Sequence, residues 1–462
     1  MAGNRTIECI GPSYMLADRK SAVQRAVNLF LTQIEGVGED RQLILRSAPG
    51  ITSYITASAV IRNMYNADGR WFVVSGDTLY EVVSGALTFR GTLISSSGYV
   101  GMRHGEDQLV LVDGANGYVL RLVDNTFTRI TSPNWRGSTD VDYLDGYFIF
   151  IAPDTEQFYI SAIDDATLLD ALDFSSADSQ PDNIIAVRVF KRDLYLFGTR
   201  TAEPWVDAGG ADFPFVRYNA TPIQVGAVSK RAVIIAADSI FFVGATDRGR
   251  GYVYQMMGYQ PVRISTQAVE EAINASGVDF SSCRMWTYHV EGNEFIAVEA
   301  DGMSTTWVYD ASTKQWHERA QWLSGDWDVL GLDFMTYVNG EHYAASGSTI
   351  VRLDSSSNVL LSGPLVRERT WPHLISPSFE PINYAGLELN VMTGYGGNIT
   401  LEISNDGGFI YGSPLQRSLG AIGRYAQRIR WVGLGSANDR VFRLRVSDDV
   451  PFSIYGAAVE AA

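Results

Sequence analysis

Residues 109–122 read LVLVDGANGYVLRL: four apolar residues, a turn holding Asp113-Gly114 and Asn116-Gly117, and a second apolar run. Asp-Gly and Asn-Gly reach the positive φ of a primed turn, whose twist matches the strands it joins, so the stretch reads as a β-hairpin. The unit recurs. It appears as FVVSGDTLYEV from Phe72, FIFIAPDTEQFYIS from Phe148 and LYLFGTRTAEPWV from Leu194. It returns as IFFVGATDRGRGYVYQM from Ile240, FIAVEADGMSTTWVYD from Phe295 and YAASGSTIVRL from Tyr343. Successive starts lie 37 to 55 residues apart. Asp301-Gly302 lies inside a unit, whereas Asp68-Gly69, Asp145-Gly146 and Asn339-Gly340 fall just ahead of units, where they are expected to link outer strands.

Seven hairpins at this spacing match the blades of a β-propeller, each built from about four strands. One blade cannot bury both of its faces, so blades stack around an axis and cover one another. The expected fold is all-β: a propeller of six or seven blades followed by a small C-terminal β-sandwich. The competing reading is an irregular sandwich with many hairpins. After about Gly363 a Pro-containing linker, LVRERTWPHLISPSFEPIN, breaks the rhythm. Five short strands follow: GLELNVMTG, NITLEISNDGG, AQRIRWVGLG, VFRLRVS and PFSIYGAAV. Leu401 and Ile403, and Val441, Leu444 and Val446 with Arg443 and Arg445 between them, carry the period-2 signal of a half-buried strand. The expected division is 1–50, a segment closing onto the propeller or a neighbouring subunit; 51–363, the propeller; and 364–462, the sandwich. Two helical interruptions are expected. One is QAVEEAINA behind Ser265-Thr266, and the other DDATLLDALDF from Asp164, with Leu168, Leu169 and Leu172 as its apolar face.

Composition bounds the function. The chain has 462 residues, 46% of them hydrophobic, with a net charge of −16. On average such a chain repels phosphate, which argues against a general nucleic-acid binder. No run of 18 apolar residues is present, so no membrane span is expected, and the N-terminus lacks the apolar stretch of a signal peptide. The only cysteines, Cys9 and Cys283, exclude a disulfide framework and fit a reducing place of synthesis.

Catalytic patterns are missing from the sequence. His104, His289, His317, His342 and His373 show neither HxH nor HExxH spacing. No nucleophile elbow, Walker loop or dinucleotide fingerprint is present. Asp164-Asp165, Glu270-Glu271 and Asp448-Asp449 are adjacent in sequence, which on a strand sends them to opposite faces. Ser404 to Tyr411, SNDGGFIY, resembles the turn of sialidase propellers but lacks its threonine. Trp205, Trp316 and Trp322 could offer a contact at exposed turns, although Trp307 and Trp316 read better as packing residues between blades. No catalytic residue, cofactor or metal is expected, and the chain is read as a non-enzyme.

Five segments carry a family likeness. VNLFLTQ (27–33) with LRSAPGITSY (45–54) resembles the N-terminal signature of the packaged DNA stabilisation proteins, the tail-hub, head-completion proteins of short-tailed phages of the Salmonella-phage type. SQPDNIIAVRVFKRDLYLFGTRTAEPWVDAGGADFPFVR (179–217) is similar to that family's most distinctive stretch. TTWVYDASTKQWHE (305–318), RERTWPHL (367–374) and RVFRLRVSDDVPFSIYGAAVE (440–460) follow in the same order. The matching positions are Arg46, Pro49, Gly50, Pro181, Asp182, Phe213, Pro214, Phe215 and Trp316. From the residues alone these read as turn and packing positions: Pro49-Gly50 as a tight turn with glycine free to take positive φ, and Phe213-Pro214-Phe215 as an aromatic plug between blades. The resemblance implies a structural virion protein of the phage tail, made in the host cytoplasm, that forms a homo-hexameric ring below the portal and its adaptor. Such a ring would extend the channel for packaged double-stranded DNA without sequence-specific binding, help retain the genome, and anchor tail spikes or fibres and a tail needle. The alternative is a glycan-binding or glycan-degrading propeller, a lectin or depolymerase.

Overall fold

The computed structural model describes residues 3–6, 9–35, 41–178, 180–210, 213–218, 222–245, 251–361, 363–376 and 378–461. Each of the seven hairpins forms the middle two strands of a four-stranded antiparallel sheet. The sheets span residues 61–92, 101–129, 141–176, 184–217, 233–263 and 284–319. The seventh takes residues 333–354 and borrows its outermost strand, Gly50–Thr56, from near the N-terminus, pairing Ile350 with Ile55. Numbered in this order as blades 1 to 7, they close a ring: the innermost strand of each lies beside that of the next, and blade 7 lies beside blade 1. The tip of the hairpin from Ile240 falls outside the described residues.

Seven separate cores fill the seven seams. Phe72, Leu109 and Tyr118 pack blade 1 on blade 2, and Ile61, Trp71 and Tyr343 pack blade 7 on blade 1. The middle strands are covered on both faces, so they read as unbroken apolar runs rather than alternating ones; Gln108–Val112 is buried at every position. The Asp68-Gly69, Asp145-Gly146 and Asn339-Gly340 turns have both residues at positive φ. They link the innermost strand of a blade to the second, not outer strands as expected, because the chain enters each blade at the axis and works outward.

The sandwich is assembled from both ends of the chain. One sheet orders Leu29–Glu35, Arg41–Ser47, Ser453–Ala461, Ile382–Val391 and Ile429–Val432. The other orders Val23–Val27, Arg367–Thr370, Asp439–Val446, Asn398–Ser404 and Leu415–Ser418. Leu31, Leu45, Trp371, Leu387, Trp431 and Phe442 fill the space between them. The second sheet runs on into blade 6, where Val27 pairs in parallel with Glu318.

The helix expected after Thr266 is present as Gln267–Ile273, burying Ala268, Val269 and Ile273. The helix expected from Asp164 is not. Residues 164–173 form a succession of turns that ends in the edge strand Phe174–Ser176. Asp165 accepts from the Thr167 N–H at 2.9 Å and Asp170 from the Leu172 N–H at 2.9 Å, local bonds that compete with a helical ladder. Leu168 and Leu172 stand exposed instead of forming a buried face.

Two buried histidines set a pH dependence. His317 lies edge-on to Phe295 at 5.4 Å and beside Phe30; burial, then the charge of Arg319, holds its imidazole down to about 3. Burial, then His289, holds His342 down to about 4. Both are neutral in the fold, whereas an unfolded chain takes up protons below about 6.5. The unfolded state therefore binds more protons between those values, so stability is complete above pH 6.5 and falls on acidification. We expect a loss of about 2 kcal/mol per buried histidine between pH 6.5 and 5. Chemical denaturation across that range checks it, with His317→Phe expected to make the slope shallower.

Candidate functional site

A propeller places its ligand-sized space on the axis, and here that space is closed by charge. Arg103 of blade 2 pairs with Asp142 of blade 3 at 2.7 Å, and Arg188 of blade 4 with Asp140 of blade 3 at 2.5 Å. Arg231 of blade 5 meets Asp333 of blade 7, and Arg284 of blade 6 reaches the same carboxylate at 3.0 Å. Blade 1 joins through neutral groups. Asn63 donates to the Val100 carbonyl at 2.7 Å and Asn66 to the Tyr337 carbonyl at 2.8 Å. Tyr99 and Phe334 cover part of the cavity, under Lys230 and Arg231. What is left measures about 360 Å3.

Each aspartate of this cluster is held by an arginine, which leaves none as a free base. Beside it lies the buried carboxyl of Glu299, pushed up to about 7 by burial against the opposing pull of Arg284 and the Thr306 hydroxyl. It faces Arg284 within blade 6 and closes that network. The thiols are equally inert: burial raises Cys9 to about 11 and Cys283 to about 12, so both stay protonated. Among the described residues no group of three His, Cys, Asp or Glu could hold a metal ion.

The second polar concentration is the seam between blade 6 and the sandwich. Glu318, Glu368 and Glu402 alternate with Arg25, Arg445 and Arg443 across neighbouring strands. Glu368 is fully buried and sits between Arg25 at 3.9 Å and Arg445 at 2.7 Å; Trp322 covers Arg445 and Trp327 covers Arg25. Asn28 pins the seam. Its amide donates to the Ala320 and Val366 carbonyls at 2.7 and 2.8 Å, its side-chain oxygen accepts from the Ala320 N–H, and its backbone N–H reaches the Glu318 carbonyl at 2.8 Å.

The residues expected from sequence are not one site. Arg46 lies on the sandwich and pairs with Glu291 of blade 6. The Pro49 carbonyl accepts from buried Arg319 at 2.6 Å. Gly50 does not adopt positive φ. It begins the outer strand of blade 7, and glycine is required because a Cβ there would stand 2.5 Å from the Ser357 carbonyl oxygen. Pro181 is exposed. Asp182 is buried and accepts from the N–H groups of Thr199, Arg200 and Thr201 at 2.7 to 2.9 Å, and from both threonine hydroxyls. Phe213, Pro214 and Phe215 lie at the seam of blades 3 and 4, Phe213 against Phe158 and Phe215 against Tyr147. Trp316 packs with Trp307 in the core shared by blades 5 and 6. Trp205 and Trp316 are thus buried, and only Trp322 is part-exposed. The SNDGGFIY turn is closed on itself, Asp406 accepting from the Ser404 hydroxyl and from the Phe409 and Ile410 N–H groups.

Asp182→Asn replaces one of two oxygens that together take five donors, and we expect a loss of about 2 kcal/mol in urea unfolding. The axial arginines and the seam were not read from sequence. Their signal was a single charged residue in an otherwise apolar first strand, as in AVRV before Phe190 or GMRH before Gly105.

Comparison with known proteins follows the same two-part order. A family model described as the β-propeller of bacteriophage P22 Gp10 matches residues 23–356, and one described as the Gp10 β-sandwich matches 374–462. The chain belongs to the P22 Gp10 family. The tail hub protein gp10 of Salmonella phage P22 is 25% identical over 449 residues, covering 90% of each chain. Like that relative's family models, the chain is a propeller followed by a sandwich. Solved structures are far more distant. The N-terminal domain of Nup159 gives a TM-score of 0.40 at 10% identity, covering 71% of this chain and 99% of its own. The computationally designed Ika8 protein gives 0.39 at 11%, covering 71% and 97%. Likenesses at that level carry no argument about function.

Proposed function

We propose that this chain is a structural tail-hub subunit of a short-tailed phage virion and not an enzyme. It assembles as a homo-hexameric ring below the portal and adaptor, made in the host cytoplasm and built into the virion tail. The ring extends the DNA channel, helps retain the packaged genome, and anchors spikes or fibres and a needle. The observation that carries the reading is the end-to-end match: a propeller and a sandwich in the same order, with 90% of both chains aligned to a protein named as a tail hub. Its proposed working units are the propeller, 51–363, and the sandwich, 364–462, which the segment 1–50 completes with the three strands Val23–Val27, Leu29–Glu35 and Arg41–Ser47, with Arg46, Gly50, Asp182 and Trp316 the positions that hold their shape.

The narrow, ion-paired axis supports placing the DNA path between subunits. B-DNA has a major groove alone about 12 Å wide and cannot thread a cavity of about 360 Å3 crossed by ion pairs. Charge supports a sliding rather than gripping wall. The nine arginines after residue 363 are balanced by nine carboxylates, so the net charge of −16 belongs to the part that precedes them, and phosphates find little to hold them there. The test is a phage lacking this chain. Its heads should fill with DNA and then lose it, read as DNA that becomes nuclease-sensitive while the capsids stay intact. Heads that keep their genome and carry normal tails would overturn the reading.

A further inference from the structure

Charge is segregated along this chain in a way that the fold turns into two surfaces. Residues 137–187 hold eleven carboxylates and no lysine, arginine or histidine, whereas residues 407–438 hold four arginines and no carboxylate. Of the eleven, Asp140, Asp142, Asp145 and Asp178 pair with arginines from outside the stretch and Asp182 is buried, which leaves the outer loop as the acidic part. The first stretch is blade 3 with its outer loop, where Ile163, Leu168 and Leu172 are 62%, 58% and 78% exposed among Asp164, Asp170 and Asp173. A cleft there opens toward blade 2 past Leu168, Asp170 and Asp173, with Arg129 of blade 2 on its other wall. The second stretch is the free end and edge of the sandwich, where Ile422, Tyr425 and Val432 are 87%, 68% and 62% exposed. Its loops are built rather than loose: the Gly423 N–H donates to the Gly394 carbonyl at 2.9 Å and the Thr393 hydroxyl to the Tyr425 carbonyl at 2.7 Å. Arg428 and Arg430 are paired with Glu388 and Glu460. Asp449, on the neighbouring loop, is the exposed carboxylate nearest in sequence, and Asp448 is engaged with the Asn398 N–H.

Exposed apolar side chains in such groups mark interfaces, and rigid aromatic knobs cost little entropy on docking. The sandwich is fastened to blade 6, and blade 3 lies roughly half a turn away around the ring of blades. The two patches therefore lie apart on one chain, and a contact between them is one between chains. We infer that the basic, aromatic end of the sandwich on one copy docks against the acidic, leucine-bearing edge of blade 3 on the next copy. Contacts of this head-to-tail kind close into rings when the rotation permits, so the inference rests on the ring proposed above and names the surfaces that make it.

The test uses the full chain in assembled tails. A Leu172→Cys, Ile422→Cys variant treated with a short bismaleimide should give a ladder of linked copies, absent from either single variant; Cys9 and Cys283 are buried and do not interfere. Arg424→Glu or Asp173→Arg alone should lower incorporation into tails at least tenfold, and the two changes on the same chain should restore it. A fold broken by either change would not be rescued, so restoration reports the contact. Rings that image normally while no ladder forms and the single variants incorporate fully would overturn the docking and leave the ring standing. Tails without any ring of this chain would overturn both.

Discussion

Replacing Asn28 with alanine should lower the unfolding free energy by about 4 kcal/mol and loosen the sandwich from the propeller. Asn28 has no exposed surface, and its side chain alone satisfies two carbonyls and one N–H from two different segments, at Ala320 and Val366. A buried polar group left without its partner costs about 1–3 kcal/mol. Its backbone also sits at φ 54, a region asparagine tolerates better than alanine. Asn28→Gly separates the two effects: it relieves the backbone and should recover only the smaller share. Hydrogen exchange locates the damage. Amides in Val23–Val27 and Arg367–Thr370 should lose protection before those in blades 2 to 4.

Arg284→Met should cost about 3 kcal/mol, because it leaves the Glu299 carboxyl, at 0% exposure, to take up a proton without the arginine that bonded it. Arg284 also holds Asp301 at 2.9 Å and Asp333 at 3.0 Å, so it ties blade 6 to blade 7 at the axis. The double variant Arg284→Met, Glu299→Gln replaces the unpaired carboxyl with an amide that needs no proton and should recover part of the loss at neutral pH, a coupling measured by a double-mutant cycle in denaturant. Glu299→Gln alone reports the carboxyl itself. Since burial, against Arg284, raises Glu299 to about 7, the folded chain holds a proton that the unfolded chain releases above about 4.5. That contribution is present at low pH and is lost as pH rises toward 7, opposite in sign to that of His317.

The parts of the fold legible in sequence are those whose environment is simple. Leu109–Val112 and Phe148–Ile151 lie between two neighbouring blades, so their burial on both faces appears as an apolar run. Innermost strands are harder to see because Arg103, Arg188 and Arg284 interrupt their patterns; the carboxylates that pair Arg103 and Arg188 lie on another blade, and those that pair Arg284 are divided between blades 6 and 7. The closing strand Gly50–Thr56 was legible as a segment but not as a part of blade 7, since its partner Ile350 lies almost three hundred residues away. Leu168, Leu169 and Leu172 carried a helical spacing with no groove to receive it, and the side chains of Asp165 and Asp170 turned the chain instead. The site was less legible than the fold. No local motif marks Asn28 or Glu368, whose roles depend on segments brought together by closing both ends of the chain.

The central claim is that this chain is a ring-forming subunit of a phage tail whose DNA path runs between copies. Imaging purified virions at a resolution that separates domains tests it most directly. Six copies are expected around the tail axis, each with its propeller axis crossed by ion pairs and set aside from the DNA. Particles that lack the chain, or that carry DNA through the propeller itself, would contradict it.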